Sequence, residues 1–295
     1  MTGTTNRIGV WAYLFLSFGL AWTLWEALAR LGISASSPFF QVAILPGTFA
    51  PAIAAFAVRK WITREGFADA GLALNLRKWR YFVVAWLLPV IATGCIVVVA
   101  VLLGVGAPDF SLLRGIEYLS RLSGRAPAHL PAHPWLVLAI LPPTAILAIL
   151  ATPILLGEEF GWRGYLQLRL LPGRPLASAV ATGVLWGVWH YPLLLRGYDF
   201  PENRLAGLLV MPCTTILLSI IFGWLRLKTG SVWAAALAHS ATNSIGVSLS
   251  LLLFGGGASL LFVSYLGILS WIPLGALGAW IVLGGHLKPG NDGIS

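Results

Sequence analysis

Residues 135–171 read WLVLAILPPTAILAILATPILLGEEFGWRGYLQLRLL, and this stretch decides how the chain folds. From Trp135 to Gly157 it carries no charge, and then Glu158, Glu159 and Arg163 follow in quick succession. A helix of ~20 apolar residues crosses a ~30 Å hydrocarbon core, so the run reads as a membrane span. An ionisable side chain at that depth costs at least ~2.5–3.5 kcal/mol on insertion scales, and two adjacent glutamates therefore need a partner, water or a chemical role. Pro142-Pro143 is expected to divide a short interfacial segment, 135–141, from the span proper, because one helix over the whole stretch would reach ~55 Å. Pro153 is expected to kink the span one turn before the glutamates, freeing backbone groups that suit a cavity.

The rest of the chain has the same character. Its 295 residues are 58% hydrophobic and only 10% charged, with mean hydropathy +0.85, where a soluble domain carries roughly 25% charged residues. No region has the alternating pattern of an outer-membrane barrel. The expected fold class is all-α: a polytopic transmembrane helix bundle of about eight spans, near 9–30, 39–60, 80–104, 143–171, 176–195, 205–225, 231–253 and 259–283. Arg7 and Ala27-Leu28-Ala29 flank the first run as in a signal peptide. That run is longer than a 7–15-residue h-region and contains Glu26, so it reads as an uncleaved span.

The chain holds 19 Lys and Arg against 10 Asp and Glu. In a soluble protein this balance would suggest nucleic acid. Here the basic residues cluster in short loops, the positive-inside pattern, and no nucleic-acid partner is expected. The densest cluster, Arg59, Lys60, Arg64, Arg77, Lys78 and Arg80, is expected to be cytoplasmic, and both termini with it. The expected location is integral to a bacterial inner (plasma) membrane. Cys95 and Cys213 lie in apolar runs and read as small core residues. The 105–134 loop is the largest piece outside the bilayer, with Pro127, Pro131 and Pro134 limiting helix, and its His129 and His133 read as solvated. Gly157/Gly161 and Gly183/Gly187 are spaced for close helix approach. Three parts are expected: an N-terminal membrane region over 1–134, a membrane core over 135–285 that holds the chemistry, and a short cytoplasmic tail over 286–295.

Within the decisive stretch, Glu159 and Arg163 stand four apart in the orientation that favours an intrahelical ion pair. Glu158 is turned about 100° away and has no partner on its own helix. On the fifth span Trp186 precedes His190 by one turn and can wall one side of the imidazole. On the seventh, His239 and Asn243 share a helix face and can both donate hydrogen bonds. Glu158 and His190 fall ~20–24 Å from the cytoplasmic turns, and His239 and Asn243 ~14–20 Å, so the four can meet if their helices are neighbours. A carboxylate, a histidine and a His/Asn donor pair suit peptide hydrolysis by an activated water. Glu158 would act as general base, His190 would assist, and His239 with Asn243 would form the oxyanion hole. Glu159 and Arg163 would brace the turn. Two alternatives compete: a zinc-dependent membrane protease using the same His and Glu residues, and a non-enzymatic peptide or proton transporter or immunity protein.

The three pieces Glu158-Glu159-x-x-x-Arg163, Trp186-x-x-x-His190 and His239-x-x-x-Asn243 resemble the motifs of the CPBP (CAAX protease and bacteriocin-processing) family of intramembrane glutamic endopeptidases, related to the Ras-converting CAAX endopeptidase. The resemblance covers roughly 145–250. It implies a glutamate-dependent protease with eight or so spans and no cofactor, acting on membrane-associated peptides or proteins within the lipid bilayer. By motif position Glu158 is the catalytic glutamate, His190 its partner in water activation, and His239 with Asn243 the oxyanion pair. Trp186 departs from the pattern, which more often has Phe there, and alters the shape of the cleft. The first three spans carry no such motif.

Overall fold

The computed structural model describes residues 3–33, 37, 39–124 and 133–287, and among them there are helices and connecting turns but no strand. Seven helical stretches are long and apolar enough to cross a membrane, from Asn6–Arg30 to Leu260–Leu283, and Pro175–Trp189 is a shorter apolar helix. Together they form the bundle of about eight spans. In chain order the N-terminal part comprises α1 (Gly3–Arg30), α2 (Phe40–Thr48), α3 (Ala50–Ala57), α4 (Trp79–Leu102) and α5 (Leu113–Leu122). The site is built from α6 (Leu136–Gly161), a π-helical turn Trp162–Leu166, α7 (Gln167–Arg169), α8 (Pro175–Trp189) and α9 (Tyr191–Leu194). It is completed by α10 (Arg204–Thr229) and α11 (Val232–Ala241), the latter running through a second π-helical turn, Thr242–Val247, into α12 (Ser248–Phe254). Two last helices, α13 (Leu260–Val263) and α14 (Trp271–Leu283), close the bundle.

The expected break at Pro142-Pro143 does not occur, since α6 passes through Pro142, Pro143 and Pro153 without interruption. The two adjacent prolines orphan only the carbonyls of Leu138 and Ala139, both on exposed residues in the opening turns, where water can meet them. Threonines beside the prolines tighten the ladder. The Thr144 hydroxyl donates to the carbonyls of Ile140 and Leu141 at 3.0 Å, and Thr152 donates to Ala148 at 2.8 Å. With its continuation to Arg169 the stretch runs 34 residues, about 51 Å, longer than the hydrocarbon is thick.

Packing brings α6 against α3 and α11, α8 against α10, and α10 against α11. Small residues set the closest approaches, as their spacing suggests. A methyl on Gly161 would sit 2.6 Å from the Pro51 backbone, and one on Gly183 would sit 2.5 Å from the Cα of Ile216. Any larger residue there would force the helices apart.

Three readings of the sequence need correction. Cys95 and Cys213 are exposed on the outer surface of the bundle rather than in its core; an apolar run in a membrane helix points partly at lipid, so hydropathy does not distinguish the two. Part of the 105–134 loop is helical, because α5 packs Gly115 against the Leu252 backbone of α12. Asp109 opens it, accepting hydrogen bonds from the Ser111 hydroxyl and from the Ser111 and Arg114 N–H groups. Partial burial opposes charge on Asp109, and those donors outweigh it and hold the carboxyl below its usual range. His133 is exposed, whereas His129, Pro127, Pro131 and residues 288–295 lie outside the described residues. Finally, Arg59, grouped above with the loop charges, is fully buried. It donates to Asp69 at 2.8 Å and to the Gly164 carbonyl at 2.9 Å, tying the loop after α3 to the π-turn that follows α6.

Candidate active site

The end of α6 is where polar groups enter the core. Glu158 is 4% exposed, Glu159 0% and Arg163 1%. Charges so deeply buried persist only when paired or hydrogen-bonded, and each finds a different solution. The Arg163 Nη1 donates to Glu159 Oε1 at 2.8 Å across one helical turn, the ion pair expected from the spacing. The same oxygen lies 3.0 Å from Nδ1 of His239 on α11, so Arg163 is not the sole partner of Glu159. A carboxylate only accepts, which puts the Nδ1 proton on His239 and turns its Nε2 away from Glu159.

Glu158 takes a neutral partner. Its Oε2 accepts the indole N–H of Trp186 on α8 at 3.0 Å, while Oε1 has no hydrogen bond within the described residues. Trp186 is thus more than a wall beside His190. Its ring lies under the Arg163 guanidinium at 4.4 Å and meets His239 edge-on at 5.0 Å and His190 at 5.9 Å between centroids. Phe222 of α10 completes the enclosure, 5.2 Å from Arg163 and 5.9 Å from His239. Sequence reasoning missed this hydrogen bond, although Trp brings a donor that the Phe of the pattern lacks.

His190 stands at the end of α8 for a local reason. Pro192 has no N–H to give to Val188, so the ladder of α8 stops at Trp189, and the chain restarts as α9 at Tyr191 with Pro192 in its first turn. The His190 Nδ1 lies 2.8 Å from the Trp186 carbonyl. A carbonyl cannot donate, so Nδ1 carries the proton and Nε2 is the lone-pair nitrogen. The neighbouring Trp189 is fixed from the first span. Trp22 Nε1 donates to the Trp189 carbonyl at 2.9 Å, and Trp189 Nε1 donates to the Ser17 carbonyl at 3.3 Å. Tyr13, also on α1, is fully buried edge-on to Trp162. The first span, motif-free in sequence, therefore braces two of the helices that carry the site.

Asn243 is the outlying member. It falls in the second π-helical turn, where spacing departs from 3.6 residues per turn, and is exposed where His239 is buried. Its side chain makes no hydrogen bond to the described residues. The structure therefore gathers Glu158, Glu159, Arg163, Trp186, His190 and His239 closely and leaves Asn243 at the margin.

Among the described residues no group of three or more His, Cys, Asp and Glu side chains is arranged to hold a metal ion. Arg163 and His239 both engage Glu159 Oε1, and Glu159 Oε2 is buried without a hydrogen bond among the described residues. An apolar groove of about 500 Å³ lies beside α6, lined by Phe49, Phe56, Phe67, Pro153, Leu156 and Phe160. At about 100° per residue these α6 positions fall on the side of the helix opposite Glu158, so the groove is not part of this cluster.

A family model described as Type II CAAX prenyl endopeptidase Rce1-like matches residues 128–245, a span that contains all three motifs. No curated protein matches the chain significantly.

Proposed function

We propose, from the match of residues 128–245 to the Rce1-like CAAX prenyl endopeptidase family model, that the chain is an intramembrane protease of CAAX type and hydrolyses peptide bonds of membrane-associated peptides or proteins with Glu158 as general base. The observation that carries the reading is the arrangement around Trp186. One carboxylate there has a free oxygen, one imidazole has a lone-pair nitrogen, and a second imidazole is backed by a carboxylate.

In this mechanism Glu158 Oε1 removes a proton from a water whose second hydrogen is held by His190 Nε2. The water oxygen bonds to the carbonyl carbon, and the C=O π pair moves onto the carbonyl oxygen. His239, protonated on both nitrogens and backed by Glu159, donates to that oxyanion through Nε2, and the exposed Asn243 amide donates once substrate is seated. Preorganised donors of this kind are worth roughly 3–4 kcal/mol each. The C–N bond then breaks as the Glu158 carboxyl returns its proton to the leaving nitrogen, giving an amine and a carboxylic acid. The basic loops support a cytoplasmic position for both termini and for the side from which substrate arrives.

Glu158→Gln keeps the shape and removes the base. Cleavage of a membrane-associated reporter peptide is expected to fall by roughly 10²–10⁴-fold with unchanged elution and melting behaviour. Undiminished cleavage by the folded variant would overturn the assignment.

A further inference from the structure

Trp186 meets both members of the water-activating pair through two different groups. Its indole N–H, at 3.0 Å, holds Glu158 Oε2. Its carbonyl, at 2.8 Å, holds His190 Nδ1. Each contact engages the atom that does not react, and so presents the one that does: Oε1 on the carboxylate and Nε2 on the imidazole. Because the ring is 2% exposed and packed under Arg163, against His239 and near Phe222 at 6.0 Å, the indole has no room to swing its N–H elsewhere. The Gly187 that follows has no side chain, and a methyl there would collide with Pro212 at 2.5 Å, so the α8 backbone carrying both groups is pressed onto α10.

We propose that Trp186 is the positioning residue of this site, aiming the base oxygen of Glu158 with its side chain and the acceptor nitrogen of His190 with its backbone. The proposal rests on the general-base reading above and adds how that base is oriented. Arg163 also gains a second role. Its guanidinium, on the ring face at 4.4 Å, draws electron density from the indole and strengthens the N–H as a donor. The Glu159–Arg163 pair would then act on Glu158 through Trp186, although the two glutamates make no contact with a common donor.

The test separates orientation from packing. Trp186→Phe keeps an aromatic ring and the backbone carbonyl and removes the N–H together with the five-membered ring that carries it, so a smaller ring that regains an N–H is the control for lost volume. Losing one hydrogen bond to a carboxylate is expected to lower kcat by roughly 10–100-fold, with KM within about twofold of wild type. Trp186→His, which restores a ring N–H, is expected to recover part of kcat. A Trp186→Phe protein that melts normally and cleaves at the wild-type rate would overturn the proposal. So would equal losses in both variants, the pattern of a packing role. A second measurement needs no Trp186 variant to fold. In the ¹⁵N spectrum of the 14 indoles, one N–H resonance is expected downfield in the wild type and upfield in Glu158→Ala. If no downfield indole responds, the hydrogen bond is absent and the proposal fails. Glu158→Gln run in parallel keeps the two readings apart. Retained cleavage there defeats the general-base mechanism, whereas loss there with an indifferent Trp186→Phe defeats only the positioning role.

Discussion

Two clusters of arginine and carboxylate lie along α6 and its continuation, and they differ in which partner is in excess. In the loop cluster Arg59, Arg169 and Arg226 surround Glu65 and Asp69. Asp69 alone receives Arg59 at 2.8 Å and Arg169 at 2.7 Å on its two oxygens, and its backbone carbonyl takes Arg226 at 2.7 Å. Glu65 lies 3.1 Å from Arg169. In the site cluster one arginine stands with two glutamates and donates to Glu159 alone, and Glu158 takes its hydrogen bond from a neutral indole. Neither cluster is saturated, since both carboxylate oxygens of Glu65 and Oε2 of Glu159 are buried without a hydrogen bond among the described residues. The contrast is one of charge: arginine is in excess in the loop cluster and carboxylate at the site, and the carboxylate left without an arginine is the one the general-base proposal uses.

The sharpest way to break this comparison is Arg163→Ala. It strips the site of its one permanent cation, leaves Glu159 with His239 alone and removes the ion that sits on Trp186. Removing one partner of a buried pair costs roughly 3–5 kcal/mol, so yield and melting temperature are expected to fall together with activity, unlike Glu158→Gln. Purely catalytic losses of equal size in both variants would contradict the division between bracing and reacting groups.

Asp69→Asn tests the other cluster. It is expected to lower the melting temperature by a few degrees while the folded fraction cleaves normally, because its contacts reach the π-turn through Arg59 and Arg169, on the Gly164 and Tyr165 carbonyls, and not through Glu158. A selective loss of kcat without destabilisation would merge the two clusters into one functional unit. The same residue predicts a pH effect. Partial burial works against charge on Asp69, but the hydrogen bond from Arg59 and the charges of Arg169 and Arg59 outweigh it, and the carboxyl is held below its ordinary 3.8. A depressed native value stabilises the fold above the unfolded-state value and is lost as pH falls through the native one. Melting temperatures are therefore expected to drop more steeply below about pH 4 in wild type than in Asp69→Asn; parallel curves would show that Asp69 is not the group responsible. The smallest expected effect is none at all: washed protein is expected to keep its cleavage rate in strong chelator, and a loss restored specifically by zinc would favour a metal mechanism over the general base.

The number and order of spans was legible because hydropathy over ~20 residues reports a property of the bilayer and not of neighbours. So was the Glu159–Arg163 pair, a contact within one helix at fixed spacing. Contacts between helices were not legible. Spacing placed His239 beside Asn243, but it says nothing of what each meets on other helices: the partner of His239 is Glu159, and Asn243 stands exposed in the π-helical turn that follows. Arg59 looked like a solvated loop charge because nothing local marks the carboxylate ten residues on that buries it. Pro142-Pro143 looked like a boundary because a proline's cost depends on where the freed carbonyls point, which only the assembled helix determines.

Pro192 carries a consequence for how the site is held. By ending α8 at Trp189 it makes His190 the joint between two helices, its ring bonded back to the Trp186 carbonyl of α8 and its own carbonyl accepting the N–H groups of Leu193 and Leu194 on α9 at 3.0 Å. The connection that follows is tied to the same joint, since the Tyr198 N–H donates to the Leu193 carbonyl at 3.1 Å and Phe200 is buried. The imidazole is gripped from both sides, as a keystone is by the two halves of its arch.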